Sequence, residues 1–256
     1  SITLMMKKPV NTLDGIEVNN RIKESERLSA GKDFVLVLNQ DGTVKGRGNN
    51  DQGQLNVEEW KDIASIAAGD AFSAGLKKDG TVIATGNDRY GQIQTSELTS
   101  VIEISAGAEH LVALKADGTV ACLGDNSEGQ CEVKEWTDIV SVSASKSSTL
   151  GLKSDGTIVS AGKIDVDQED FVEWKHVKKL INGQSHVLAL TETGTVYCTA
   201  SSAYPVCQNT ENWENVVSIK TAGNHVIGLL NTGRLVSSGD NSDNQTFVEE
   251  FKNIIS

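Results

Sequence analysis

An all-β propeller is the fold that this 256-residue sequence predicts, and three observations predict it. A short pattern returns at a fixed interval along nearly the whole chain. Every copy reads as strands joined by tight turns, with no helical periodicity. Glycine is abundant at 24 and proline scarce at 2, so the turns are built from Gly with Asn and Asp, as tight hairpins require.

The interval comes first. A turn of the Asp-Gly-Thr-Val kind has its glycine at Gly42, Gly80, Gly118, Gly156, Gly194 and Gly233, in steps of 38 residues with a last step of 39. Six residues beyond stand Gly48, Gly86, Gly124, Gly162 and Gly239, with Ala200 the exception. Twelve beyond stand Gln54, Gln92, Gln130, Gln168 and Gln245, with Val206 the exception. Eighteen beyond, or 19 in the fifth copy, stand the large apolar residues Trp60, Leu98, Trp136, Trp174, Trp213 and Phe251. Four columns at one period make an array. Its copies are 28–65, 66–103, 104–141, 142–179, 180–218 and 219–256, all in one domain.

Each copy reads as three strands, a, b and c. In the third, Ile102–Ser105 runs into Ala106-Gly107, His110–Lys115 follows, Asp117-Gly118 turns, and Thr119–Leu123 returns. A lone three-stranded unit has too little core to stand by itself; stacking such units face to face buries both sides of every sheet. Seven blades are expected. Asn253–Ser256 would supply strand a of the seventh, and Ile2–Met6 with Gly15–Val18 its strands b and c, so that paired termini leave no open edge. A six-bladed ring with the N-terminal segment outside is the alternative.

Composition limits the function. Lys and Arg number 23 against 35 Asp and Glu, a net charge of −12, and such a surface repels phosphate backbones and anionic headgroups. Nucleic acid is therefore not expected as a partner, and no run of about 18 apolar residues offers a bilayer span. Ile2–Met6 is too short for a signal-peptide core, and Lys7-Lys8 follow it instead of preceding it. A first residue of Ser1 implies removal of a starting Met or of a longer leader.

The segments from Ala67 to Gln92 and from Ser105 to Val120 resemble the repeat of the regulator-of-chromosome-condensation family. The Ala-Gly, histidine, Asp-Gly and Gly-Gln elements fall in order over about residues 28–256. The resemblance implies a seven-bladed propeller that docks other molecules without catalysis. The blades are short, similar to those of secreted bacterial beta-lactamase inhibitory propellers, which suggests a bacterial or phage source.

Side chains that could carry chemistry fall into columns. The tryptophans read as inter-blade anchors, because Leu98 and Phe251 substitute for them. His110, His186 and His225 occupy the family's histidine position, where other copies have Phe34, Phe72 and Ser148, and read as packed structural residues on separate blades. His176 is isolated. The loops from Gly86 and Gly124 open no helix and carry no calcium-hand ladder. With no nucleophile beside a base, no enzyme, cofactor or metal is expected. Cys122 and Cys131 lie 4 and 13 residues after one turn glycine, and Cys198 and Cys207 repeat that spacing after another. Cysteine fills both columns or neither, as contacting columns would. Two disulfides, implying an oxidising compartment, and two pairs of buried thiols, compatible with a cytoplasmic or virion setting, are both open readings.

Three antiparallel strands place the a–b loops and the exits of strand c on one face and the Asp-Gly turns on the other. The first face holds the positions that vary, and these are the candidate contacts: Asp33, Phe34, Asn50, Asp51, Phe72, Asp88, Arg89, Tyr90, Glu109, Asn126, Glu128, Ser185, Tyr204, Asn224 and Asp243. None of the residues just before the histidine column is aromatic. The expected function is a docking propeller for another protein, suited by its acid to a basic partner. A secreted enzyme inhibitor and a cell-surface or virion attachment component are the alternatives.

Overall fold

A computed structural model of the chain describes residues 27–166, 171 and 173–239. Within them lie six antiparallel sheets of three strands, each in the order a–b–c. They comprise Leu28–Ala30, Phe34–Leu38 and Val44–Gly48; Ile63–Ala68, Phe72–Lys77 and Val82–Gly86; Val101–Ala106, His110–Lys115 and Val120–Gly124. The remaining three are Ile139–Ser145, Ser148–Lys153 and Ile158–Gly162; Val177–Asn182, His186–Thr191 and Val196–Ala200; Val216–Ala222, His225–Leu230 and Leu235–Gly239. Consecutive sheets pack against one another in chain order. The described residues thus form six blades, the lower of the two expected counts, and not seven. The segments assigned to a seventh blade, 2–6, 15–18 and 253–256, lie outside the described residues, as does the closure they would make.

The apolar columns fill the seams. Strand b is buried along nearly its whole length in blades 2 to 5, because sheets cover it from both sides. In the first blade the same strand alternates, with Val37 at 36% exposure and its cross-strand partner Leu28 at 62%. The anchor column works by close approach. A Cβ placed on Gly75 would stand 3.0 Å from the Trp60 ring of the preceding blade, and Gly228 stands in the same way under Trp213. Leu98, the small anchor, lies in one cluster with Ala113 at the corresponding place of the next blade.

The lower face is stitched by backbone. In each Asp-Gly-Thr turn of the first four blades, the aspartate Oδ1 accepts from the amide and hydroxyl of the threonine two residues on. At Asp79 these bonds, the hydroxyl first, hold the carboxyl below its usual range. The turn carbonyl then accepts from the first amide of the next blade, as from Ile63 N to Gly42 O at 3.0 Å. Two residues after each anchor the chain turns through positive φ at Asp62, Ser100, Asp138, His176 and Asn215. Their carbonyls accept from the turn of the following blade, as from Lys78 N to Asp62 O at 2.9 Å.

Both cysteine pairs are disulfide-bonded. Cys122–Cys131 and Cys198–Cys207 each link strand c to the segment that follows it, with Cα separations of 5.2 and 5.5 Å. Of the two open readings, the structure shows the first.

Candidate functional site

The a–b loops and the strand-c exits share one face, as the strand count requires. Six a–b loops converge there on an axial cavity of about 730 Å³, walled by Gly31, Gly69, Gly107, Ser145, Gly183 and Gly223. Lys32, Asp70 and Lys146 stand around it.

In the first three blades the exit loops are built to one plan around the glutamine column. Gln54, Gln92 and Gln130 are at most 3% exposed. Each accepts at Oε1 from the backbone amide two residues earlier, Gln52, Tyr90 and Glu128, at 2.9 Å. Each donates from Nε2 to the side chain five residues earlier, Asn49, Asn87 and Asp125. Asn50, Asp88 and Asn126 turn their Oδ1 inward to accept from the amides of Leu55, Ile93 and Cys131. These three candidate contacts therefore hold the loop in shape. The glutamine column, read from sequence only as a repeat marker, is the part that organises the face.

The other candidates separate by burial. Asp33, Asp51, Glu128 and Arg89 are exposed, and so are Tyr90 at 42% and Tyr204 at 43%. The Arg89 guanidinium lies 5.2 Å from the Tyr90 ring centre, a cation–π arrangement that presents both groups together. Glu109 and Asn224 are half-buried and Ser185 is buried. Burial raises the Glu109 carboxyl above its ordinary range; Arg89 opposes this, and Asp70 and Asp125 add to it. Phe34 and Phe72 are corrected: at 5% and 0% exposure they are packing residues, not contacts. Each ring covers the a–b loop glycine three residues earlier, so closely that a Cβ on Gly31 or Gly69 would come within 2.1 Å of it. Asp243 lies outside the described residues.

Two of the column histidines are as structural as the sequence suggests. His110 is fully buried with Nε2 3.0 Å from Thr149 Oγ1 of the next blade, and His186 reaches Thr221 Oγ1 in the same manner. Burial pushes both imidazoles down to about 4. His225 is half-buried. Among the described residues no group of three His, Cys, Asp or Glu is placed to hold a metal, and no helix is long and apolar enough to cross a membrane.

Blades 4 to 6 depart from the plan, and the sequence reading missed how. The aromatic column is interrupted by Ser148, and the glycine beneath it becomes Ser145. The alanine column of Ala30, Ala68, Ala106 and Ala144 becomes Asn182 and Thr221. Asn182 Nδ2 donates to Ser148 Oγ at 2.9 Å, and Ser145 Oγ donates to Gly183 O at 2.7 Å, so polar bonds fill the place of the missing ring. The exit loops after Lys163 and Ser201 also lack the Asn/Asp pattern of the first three.

The comparisons fit this division. Residues 27–54, 63–92 and 101–130 match the family model of the Regulator of chromosome condensation (RCC1) repeat, which falls on the first three blades. No curated protein matches the chain by sequence. Among solved structures, yeast RCC1 (Prp20) bound to Kap60 is 16% identical with a TM-score of 0.67, over 88% of this chain and 72% of that one. Human WBSCR16 is 16% identical at 0.67, over 91% and 81%. The CRINKLY WD40 ectodomain of the Arabidopsis thaliana receptor kinase ACR4 is 18% identical at 0.66, over 83% and 78%. At such identities the likeness is one of fold.

Proposed function

We propose that this chain, a carrier of RCC1 repeats, is a non-catalytic docking propeller that grips another protein on the face of its a–b loops and strand-c exits. One observation carries the reading. Tyr90 and Arg89 stand together, exposed, on a loop whose shape is fixed from below by buried Gln92. Tyrosine and arginine are the residue types that dominate binding hot spots, and a rigid loop lets them bind without a large ordering cost. Tyr204 is a second anchor on the same face. Exposed Asp33, Asp51, Asp88 and Glu128 lie in a–b loops and strand-c exits of the same face and suit a basic partner surface. Yeast RCC1 (Prp20), a protein of the same fold, has been solved with Kap60 bound, which supports a protein as the partner class.

A photo-reactive residue at position 90 should capture the partner. Affinity for it should then fall at least roughly tenfold in Tyr90→Ala and Arg89→Ala and weaken with added salt. A partner held with unchanged affinity by Tyr90→Ala, Arg89→Ala and Tyr204→Ala together would overturn this use of the face.

A further inference from the structure

The a–b loops bring one repeat column to the axial cavity: Lys32, Asp70, Ala108, Lys146, Gln184 and Gly223, in blade order. In blades 2 and 3 the backbone amide of this residue is spent on the next blade. Asp70 N donates to Ala108 O at 2.8 Å, and Ala108 N donates to Lys146 O at 3.3 Å. The chain of bonds stops there. Among the described residues, the backbone amides of Lys32, Lys146 and Gln184 donate to no acceptor.

Side chain and backbone amide sort together along this column. Where the amide is spent, the side chain is the acid of Asp70 or the methyl of Ala108. Where it is free, the side chain is itself a donor: the ammonium of Lys32 or Lys146, or the carboxamide of Gln184. Both lysines are exposed, and among the described residues neither ammonium makes an ion pair. Blades 1, 4 and 5 thus present backbone and side-chain donors to one cavity, and the cavity lacks the acceptor that would use them.

Charge narrows what that acceptor is. Two lysines and one aspartate line the cavity, a net of one positive charge in a chain whose net charge is −12. Exposed Asp33, Asp51, Asp88 and Glu128 lie elsewhere on the same face and disfavour a multiply charged anion such as phosphate. A single carboxylate balances the cavity. Its two oxygens accept from ammonium and backbone amide alike, and bonds to a charged acceptor are the strong ones. The volume of about 730 Å³ leaves room for the molecule or chain end that bears it.

We propose that the axial cavity is a carboxylate-binding site, formed by the ammoniums of Lys32 and Lys146 and by the free backbone amides of Lys32, Lys146 and Gln184. This goes beyond the protein-docking reading and uses none of Arg89, Tyr90 and Tyr204, so either can fail alone.

The test is an amide chemical-shift titration of the whole chain at constant ionic strength. The probes are sodium acetate and N-acetyl-tetraglycine, the peptide in its free-acid and its amide form. Both acids should move the Lys32, Lys146 and Gln184 amides saturably, and the peptide amide should not. Tighter binding of acetate assigns the site to a small free acid, and tighter binding of the peptide acid assigns it to a chain end. Lys32→Ala/Lys146→Ala, which removes two exposed side chains and should leave the melting temperature unchanged, should weaken binding at least roughly tenfold as read at Gln184. Asp70→Asn should tighten it. The proposal is overturned if neither acid moves these amides, if the peptide amide moves them as far, or if the double variant binds as well as the parent.

Discussion

The first three blades and the last three share one backbone plan and use it differently. In blades 1 to 3 an aromatic ring covers each loop glycine, an alanine stands beside it, and a buried glutamine braces each exit loop. Over blades 4 to 6 Ser145, Ser148, Asn182 and Thr221 stand among those positions, and in blade 5 Val206 takes the place of the glutamine. The strands, the positive-φ joints and the anchor column hardly change. The lesson is that the lower face and the seams maintain the propeller, while the upper face of one half trades apolar packing for buried polar bonds. Departures from a repeat mark where binding can be built more clearly than the repeat itself does.

The anchors should matter most and equally in both halves. Trp60→Ala should cost about 3–5 kcal/mol, and Trp174→Ala, which also removes stacking on Tyr197 at 5.3 Å, should cost a similar amount by denaturant titration. A large loss in one half with none in the other would break the shared scaffold.

The histidines give a pH signature. Their pKa falls on folding from the ordinary 6.5 to about 4, so the neutral form is favoured in the fold. The stability this gives is complete above about pH 6.5 and is lost as pH falls towards 4, by up to roughly 3 kcal/mol for each histidine. His186→Phe should remove about half of that slope. An unchanged profile between pH 4 and 6.5 would contradict the burial of the ring.

Each half has one disulfide closing a short loop. Opening either, by Cys131→Ser with Cys122→Ser or by the equivalent pair at 198 and 207, should cost about 2.5 kcal/mol on the loop-entropy account. Intact mass should show no free thiol among these four before reduction. The smallest effect is at a joint: His176 sits at φ 57, a conformation that asparagine and glycine adopt more readily. His176→Gly should raise the melting temperature by a degree or more, corresponding to about 0.5–1 kcal/mol.

Much of this was legible in the residues. The turn glycines gave the period, the period gave the strands, and three strands per copy fixed which loops share a face. The pairing of the cysteine columns followed from their joint appearance. Other features depend on what a column touches, and a column does not print that. Phe34 and Phe72 sit next to variable positions and look like contacts, yet their rings are spent on Gly31 and Gly69. Gln54 marks a repeat in the sequence and braces a loop in space. His176 looks isolated until it is aligned with Asp62, Ser100, Asp138 and Asn215, all small polar residues suited to positive φ. Asn182 stands in an alanine column, and that signal was available but unread.

The central claim is that one half of the upper face has exchanged apolar packing for buried polar groups at a cost in stability, and an exchange between blades tests it most directly. Ser185→Ala/His186→Phe makes blade 5 like blade 2, and Ala71→Ser/Phe72→His does the reverse. Measured by thermal unfolding, the first variant should melt higher than the parent, because two unpaired buried polar groups are gone. The second should melt lower, because two are created. A lower melting temperature for the first variant would mean that the polar set stabilises the fold, and the claim would fail.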